Sequence, residues 1–358
     1  MPAKAPRTYF AEQLAGEKAL SQRTASRLCR LAAEISALEP WRYMDEMQTV
    51  AVVHRKGREP DFVSVLGMLG EFRAIHVYPG FDGYWWMKQV VEASDSWRLR
   101  LMLTECEALQ AAFPAPDEIT DLDMDLLRGC RYPAAQRAFH FRSVRRGYLP
   151  WYLCEEEGKR LAACLEAFVR VLSSQVLDDP DKWWPDEPDK MPLVGKFEGQ
   201  WRVGQVRVPP AGDEEGQLWL SEERLAGLRP LKREGVVCLG DHLMRGAAGL
   251  ENERPIVLQV MAVVDARSGF AFEPGLRRPG EPLAAVAAEA LARASETRGA
   301  VPERVLVAEP YYAEQLQPLA RAAGFEIQLK RHLPALDALF RSLERFEKRA
   351  GKSGSEIV

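Results

Sequence analysis

Residues 63–84 read VSVLGMLGEFRAIHVYPGFDGY. Two runs rich in apolar residues, Asp61–Leu66 and Arg73–Tyr78, flank Gly67-Met68-Leu69-Gly70. Glycine reaches positive φ without the clash that a Cβ brings, so paired glycines between such runs predict a tight antiparallel turn. Upstream, Val50–His54 predicts another strand, joined through Arg55-Lys56-Gly57-Arg58. The three make an antiparallel meander. Pro79-Gly80-Phe81-Asp82-Gly83 then starts a helix running through Trp86, Val90 and Val91. The stretch is not a phosphate loop, because it lacks the GxxxxGK[ST] pattern and its lysine. Its polar groups at turn edges, Glu71, Tyr78 and Tyr84, define with Arg142, Tyr148 and Trp151 a candidate binding cleft.

Working outward, Leu28, Leu31, Ile35 and Leu38 recur at helical spacing, and Pro40 closes that helix. In residues 99–113 the start is compatible with a strand and Glu105–Ala112 with a short helix, and the pattern does not decide the segment. Acids at 117, 118, 121, 123 and 125 invite a calcium loop, but counting from Asp121 puts Leu126 and Tyr132 where the EF-hand needs glycine and glutamate. A solvated helix start, favoured by the dipole, is the expectation. Phe139–Tyr152 mixes aromatics with arginines that pair with nearby acids, and Glu155-Glu156-Glu157 opens a helix with Leu161, Leu165, Phe168, Val169 and Leu172 inward.

The proline- and charge-rich run 178–192 predicts a linker between a domain at 21–177 and one at 193–350. The second begins with a hairpin from Trp201–Val208 and Gln217–Leu220. It continues through strands at 235–239, 255–265 and 270–273, a helix at 283–291, a strand at 305–308, a helix at 311–323, a strand at 325–329 and a helix at 334–349. The fold class is therefore α+β: an antiparallel meander with helices, then a mixed-sheet α/β domain whose element order is ribonuclease H-like.

At 358 residues and net charge −4, the chain lacks the basic block of a general nucleic-acid binder, so nucleic acid is not the expected partner. Six cysteines and five histidines are scattered without paired ligand spacing, which argues against a metal site and predicts free thiols in a reducing, cytoplasmic setting. No cofactor motif and no membrane-spanning run stand out.

Five segments carry a resemblance over residues 27–180: Glu39-Pro40-Trp41, the run from Ser64 to Glu71 with Gly67 and Gly70, Val77-Tyr78-Pro79-Gly80, Phe141-Arg142-Ser143, and Gly147-Tyr148-Leu149-Pro150-Trp151. They resemble an uncharacterised bacterial domain family. Residues 230–345 resemble the domain of unknown function that often follows it, on Val260–Asp265, Pro302–Val307 and Phe325–Leu329. The resemblance implies the two-domain architecture and brings no catalytic residues.

Two functions compete. The first is a non-catalytic protein that binds a protein partner or small ligand, with the aromatics at 84–86, 148–152 and 183–184 as exposed anchors. The second is a divergent metal-dependent nuclease. It would use Asp265, Glu309 and Glu344, or Asp337, to hold two Mg²⁺ ions.

Overall fold

The computed structural model describes residues 17–353, apart from 55–56, 71, 94, 116–117, 133–137, 175–179, 185–189, 198–199, 211–216 and 252–253. The chain divides into two compact units, residues 1–211 with 251–254, and residues 212–250 with 255–358.

In the first unit, helix α1 (Gln22–Leu38) precedes strands β1 (Val50–Val53), β2 (Asp61–Leu66) and β3 (Ala74–Pro79). Helices α2 (Gly80–Glu92) and α3 (Asp95–Thr104) lead to β4 (Ala108–Ala112), α4 (Asp121–Gly129), β5 (His140–Val144) and α5 (Glu155–Leu172). A single turn, α6 (Pro180–Trp183), and a hairpin, β6 (Lys190–Phe197) and β7 (Gln200–Arg207), complete it. One sheet has the order β5-β4-β3-β2-β1-β6-β7. Every neighbouring pair is antiparallel except β1 and β6. The expected meander is its centre. At the β2–β3 turn Gly67 and Gly70 have φ of +106° and +90°. A Cβ on Gly67 would lie 2.8 Å from the Phe72 carbonyl oxygen, so only glycine fits there.

Side chains alternate across a strand, and the two faces of this sheet have different covers. Val63 and Val65 share one face with Val52, Ile75, Val77, Leu109 and Phe141, packed with residues of α1 and α5. Burial of Leu161, Leu165 and Phe168 of α5 supplies about 1.5–3 kcal/mol per side chain. Phe62, Ser64, His76, Tyr78 and Gln110 face the other way, where Phe62 meets Tyr84 of α2 at 4.8 Å. The N-termini of α1 and α5 are tied together. Glu155 accepts from the Ser21 N–H at 2.7 Å and the Thr24 hydroxyl at 2.9 Å.

Two sequence expectations change here. The ambiguous segment 99–113 is a helix followed by a strand, and Ala108–Ala112 is buried at every position. A central strand slot overrides the helix preference of an alanine-rich run. The hairpin assigned to the second domain belongs to the first and lies at 190–207, inside what was read as linker and beyond. β6 pairs in parallel with β1 through Ala51↔Leu193 and Val52↔Val194, and buries Met191 and Val194. Prolines and charges around it hide that short apolar pattern.

The second unit contains α7 (Glu222–Leu228), β8 (Lys232–Arg233), all but residues 251–254 of a long hairpin of β9 (Val236–Glu251) and β10 (Arg254–Asp265), and β11 (Gly275–Arg277). Then come α8 (Leu283–Arg298), β12 (Ala300–Val301), β13 (Arg304–Val307), α9 (Pro310–Gln315), α10 (Gln317–Ala323), β14 (Glu326–Leu329) and α11 (Pro334–Ser353). The main sheet has the order β11-β10-β9-β13-β14, with β13 parallel to both of its neighbours and β11 antiparallel to β10. This is the expected mixed sheet with helices between its strands. The third strand is Gly275–Arg277 rather than 270–273, which keeps only an isolated bridge through Ala271. The helix expected over 311–323 breaks at Leu316, one residue before Gln317-Pro318 opens α10.

A buried polar chain crosses this sheet. Tyr312 donates to Asp241 at 2.6 Å, Gln259 donates to Asp241 at 2.7 Å, and Arg277 donates to the Gln259 carbonyl at 3.1 Å. Gln259 thus links an anion and a cation, all in the interior. Among the described residues no helix is long and apolar enough to cross a membrane.

Candidate functional site

The first unit holds a cleft of about 880 Å³. His54 follows β1, Asp61 opens β2, and Arg160 and Cys164 lie one turn apart on α5. Strand alternation puts Asp61 on the inward face with Val63 and Val65, and its side chain is fully buried. A carboxylate there needs a counter-charge. Arg160 supplies it bidentately, with Nε at 2.8 Å and a terminal nitrogen at 2.5 Å. The Cys164 thiol donates to Asp61 Oδ2 at 3.5 Å, and His54 Nδ1 stands 3.3 Å from the same oxygen. Burial, then the charge of Asp61, push the Cys164 thiol well up.

His54, Asp61 and Cys164 offer three ligand atoms within 4.8 Å of one another. A cation at that point would have to displace the Arg160 guanidinium and deprotonate a thiol whose surroundings resist it. The arrangement therefore fits a charge-compensated floor better than a metal centre.

Arg58, Glu59, Gly80, Glu156, Glu157 and Lys159 complete the walls. The acids are engaged by the protein. Glu59 accepts from the Phe81 N–H at 3.2 Å, over the first turn of α2. Gly80 makes room for it, since a Cβ there would lie 2.7 Å from the Glu59 carboxylate. Glu157 accepts from Ser143 at 2.6 Å, from Arg145 at 2.9 Å and from the Cys154 N–H at 2.9 Å. Burial opposes its charge, but Ser143 and Arg145 hold its carboxyl below the usual range. Glu156 accepts from Lys159 at 3.2 Å.

None of the described residues expected from sequence to form a cleft lines this one. Tyr78 and Tyr84 are buried between the sheet and α2, and Tyr78 bonds His76 Nδ1 at 3.0 Å. Arg142 lies over the Tyr152 ring and donates to Asp123 from both terminal nitrogens, at 2.7 and 2.6 Å. Trp151 packs on the α1–α5 core and pairs with Ser143, and Tyr148 is half-buried. Glu71 lies outside the described residues. Asp123, expected in solvent at a helix start, is a buried partner instead. Burial raises its carboxyl, but Arg142 and Thr120 bring it below the usual range.

The expected aromatic anchors are not exposed either. Tyr84 and Tyr152 are buried, while Trp85, Trp86, Trp151, Trp183 and Trp184 are half-buried. Trp184 donates to the Thr49 carbonyl at 2.7 Å. Among the exposed apolar side chains of this unit, Met68, Leu69 and Phe72 gather at the β2–β3 turn, where they are 57%, 91% and 42% accessible.

In the second unit two of the nuclease residues, Asp265 and Glu309, separate. Val236 pairs with Arg304, and Ala266 N–H bonds the Val236 carbonyl, so Asp265 lies at the level where β13 begins. Glu309 lies five residues further along, about 16 Å at strand rise, against the ~4 Å that separates paired catalytic metals. Asp265 closes its own turn, accepting from the Arg267 and Ser268 N–H groups at 3.1 and 2.8 Å. Glu344 and Asp337 lie on α11.

Fold and site together define a two-unit α+β protein with a charged cleft in its first unit. Residues 26–191 match a family model described as a domain of unknown function (DUF7309), and residues 229–344 match a second, also described as a domain of unknown function (DUF6930). The two in this order are consistent with the two-domain, uncharacterised family that the sequence resembles. No curated protein and no solved structure matches the chain.

Proposed function

We propose that this chain is a non-catalytic binding protein of the bacterial cytoplasm whose first unit takes a small polar ligand bearing a carboxylate or phosphate. The carrying observation is the cleft over the Asp61–Arg160 pair. Its acids are occupied by backbone and side-chain donors, Glu156 by Lys159 at the rim, and Arg58 is exposed beside them. A few convergent polar groups in a preformed concavity are what ligand sites require. A thermal-shift screen of sugar phosphates, nucleoside phosphates and di- and tricarboxylates tests it. The expected result is a raised melting temperature for one of these classes.

A second reading rests on the β2–β3 turn. Met68, Leu69 and Phe72 hold large apolar side chains in water within one turn, and such groups are favoured where a partner covers them. In this reading Leu69→Glu lowers capture of a native-cell protein at least about tenfold without changing the melting temperature. Equal capture by wild type and variant would dismiss it.

A further inference from the structure

Cys29 and Cys130 share one packing layer. Cys29 lies on α1 inside the core, and Cys130 follows the last residue of α4, half-buried against the same cluster. Gln22, Ser26 and Cys29 stand at four- and three-residue steps, so they form one stripe of α1. Gln22 donates to the Gly129 carbonyl at 2.9 Å, which lays the end of α4 along that stripe. The Cys130 N–H bonds the Leu126 carbonyl at 3.0 Å, and Arg131 turns the chain away at φ 55°, a position glycine usually takes. Cys130 therefore faces Ser26 and Cys29, and the two thiols interact.

The neighbours act on the two sulfurs in opposite directions. The Cys29 thiol lowers Cys130 to about 7, burial opposes this, and the Ser26 hydroxyl assists. Cys29 is raised, first by Cys130 and then by burial. The remaining thiols are buried and raised, Cys106 to about 12. A half-buried thiol lowered to about 7 beside a buried, protonated thiol is the arrangement of a reactive cysteine with a resolving partner.

We propose that Cys130 is a hydroperoxide-reactive thiol and that Cys29 resolves it to a disulfide between α1 and the end of α4. The Cys130 thiolate attacks one peroxide oxygen of ROOH, and the O–O bond breaks. The alkoxide leaves as ROH after gaining a proton, and Cys130 becomes a sulfenic acid. The Cys29 sulfur then attacks the Cys130 sulfur and gives up its proton, and the hydroxyl leaves as water. Two thiols and ROOH thus give one disulfide, ROH and water.

The test uses the full chain with one equivalent of hydrogen peroxide at pH 7, alkylation of remaining thiols and peptide mapping by mass spectrometry. A Cys29–Cys130 disulfide is expected, with Cys130 consumed at least about tenfold faster than Cys106, Cys154, Cys164 or Cys238. In Cys29→Ser the reaction stops at a Cys130 sulfenic acid that dimedone labels, and Cys130→Ser removes both products. Should Cys29→Ser fail to fold, the wild type still decides: its iodoacetamide alkylation at Cys130 has a midpoint near 7. Oxidation centred on another cysteine, or a midpoint at the ordinary free-thiol value of about 8.5, overturns the proposal.

Discussion

Arg160→Met is expected to destabilise the first unit by about 3–5 kcal/mol at pH 7, whereas Asp61→Asn costs less, about 1–2 kcal/mol. The asymmetry comes from burial. The Asp61 side chain is 0% accessible and Arg160 is 39% accessible. Removing the arginine strands a carboxylate that cannot reach water, while removing the carboxylate leaves a guanidinium free to turn outward. Urea unfolding followed by circular dichroism at pH 7 measures both losses. Equal losses for the two variants would show that the pair is not a buried charge balance.

The second large effect is acid sensitivity arising from two histidines. Burial lowers His76 to about 4, with the Gln110 bond opposing, and burial followed by the Arg142 charge lowers His140 to about 4. Both are neutral at pH 7 in folded and unfolded chains, so neither contributes there. Below the unfolded value of 6.5 the unfolded chain takes up protons that the folded one refuses, and stability falls with pH down to about 4. From pH 7 to pH 5 the pair is expected to remove about 3–4 kcal/mol, an upper bound before relaxation. His76→Gln with His140→Gln should flatten the denaturation midpoint over this window, apart from any loss already present at pH 7. A double variant with the wild-type slope would place those protons elsewhere.

The fold was legible wherever local chemistry and periodicity agreed. Gly67 and Gly70 announced their turn because positive φ belongs to glycine, and most of the second unit's strand and helix order followed from its apolar runs. Legibility failed where tertiary context chose. Ala108–Ala112 becomes a strand only because β3 and β5 flank it, and β6 exists because β1 had an open edge. The cleft was hidden for a related reason, since His54, Asp61 and Arg160 are far apart in sequence and carry no motif spacing. One signal was present. Strand alternation aligns Asp61 with Val63 and Val65, so an acid had to enter the core and a cation had to follow it. The aromatic clusters misled because tryptophan serves cores and interfaces alike, and only accessibility separates the two.

The claim that the first unit is a receptor for a small anionic molecule is tested most directly by calorimetric titration. The strongest ligand from the thermal-shift panel is titrated into wild type and into Arg58→Glu with Lys159→Glu, two exposed positions whose change leaves the Asp61–Arg160 floor intact. The expected result is one site per chain in wild type, with affinity reduced at least about tenfold in the charge-reversed protein at an unchanged melting temperature. Undiminished binding in that protein, or no ligand in the panel that binds wild type, would contradict it.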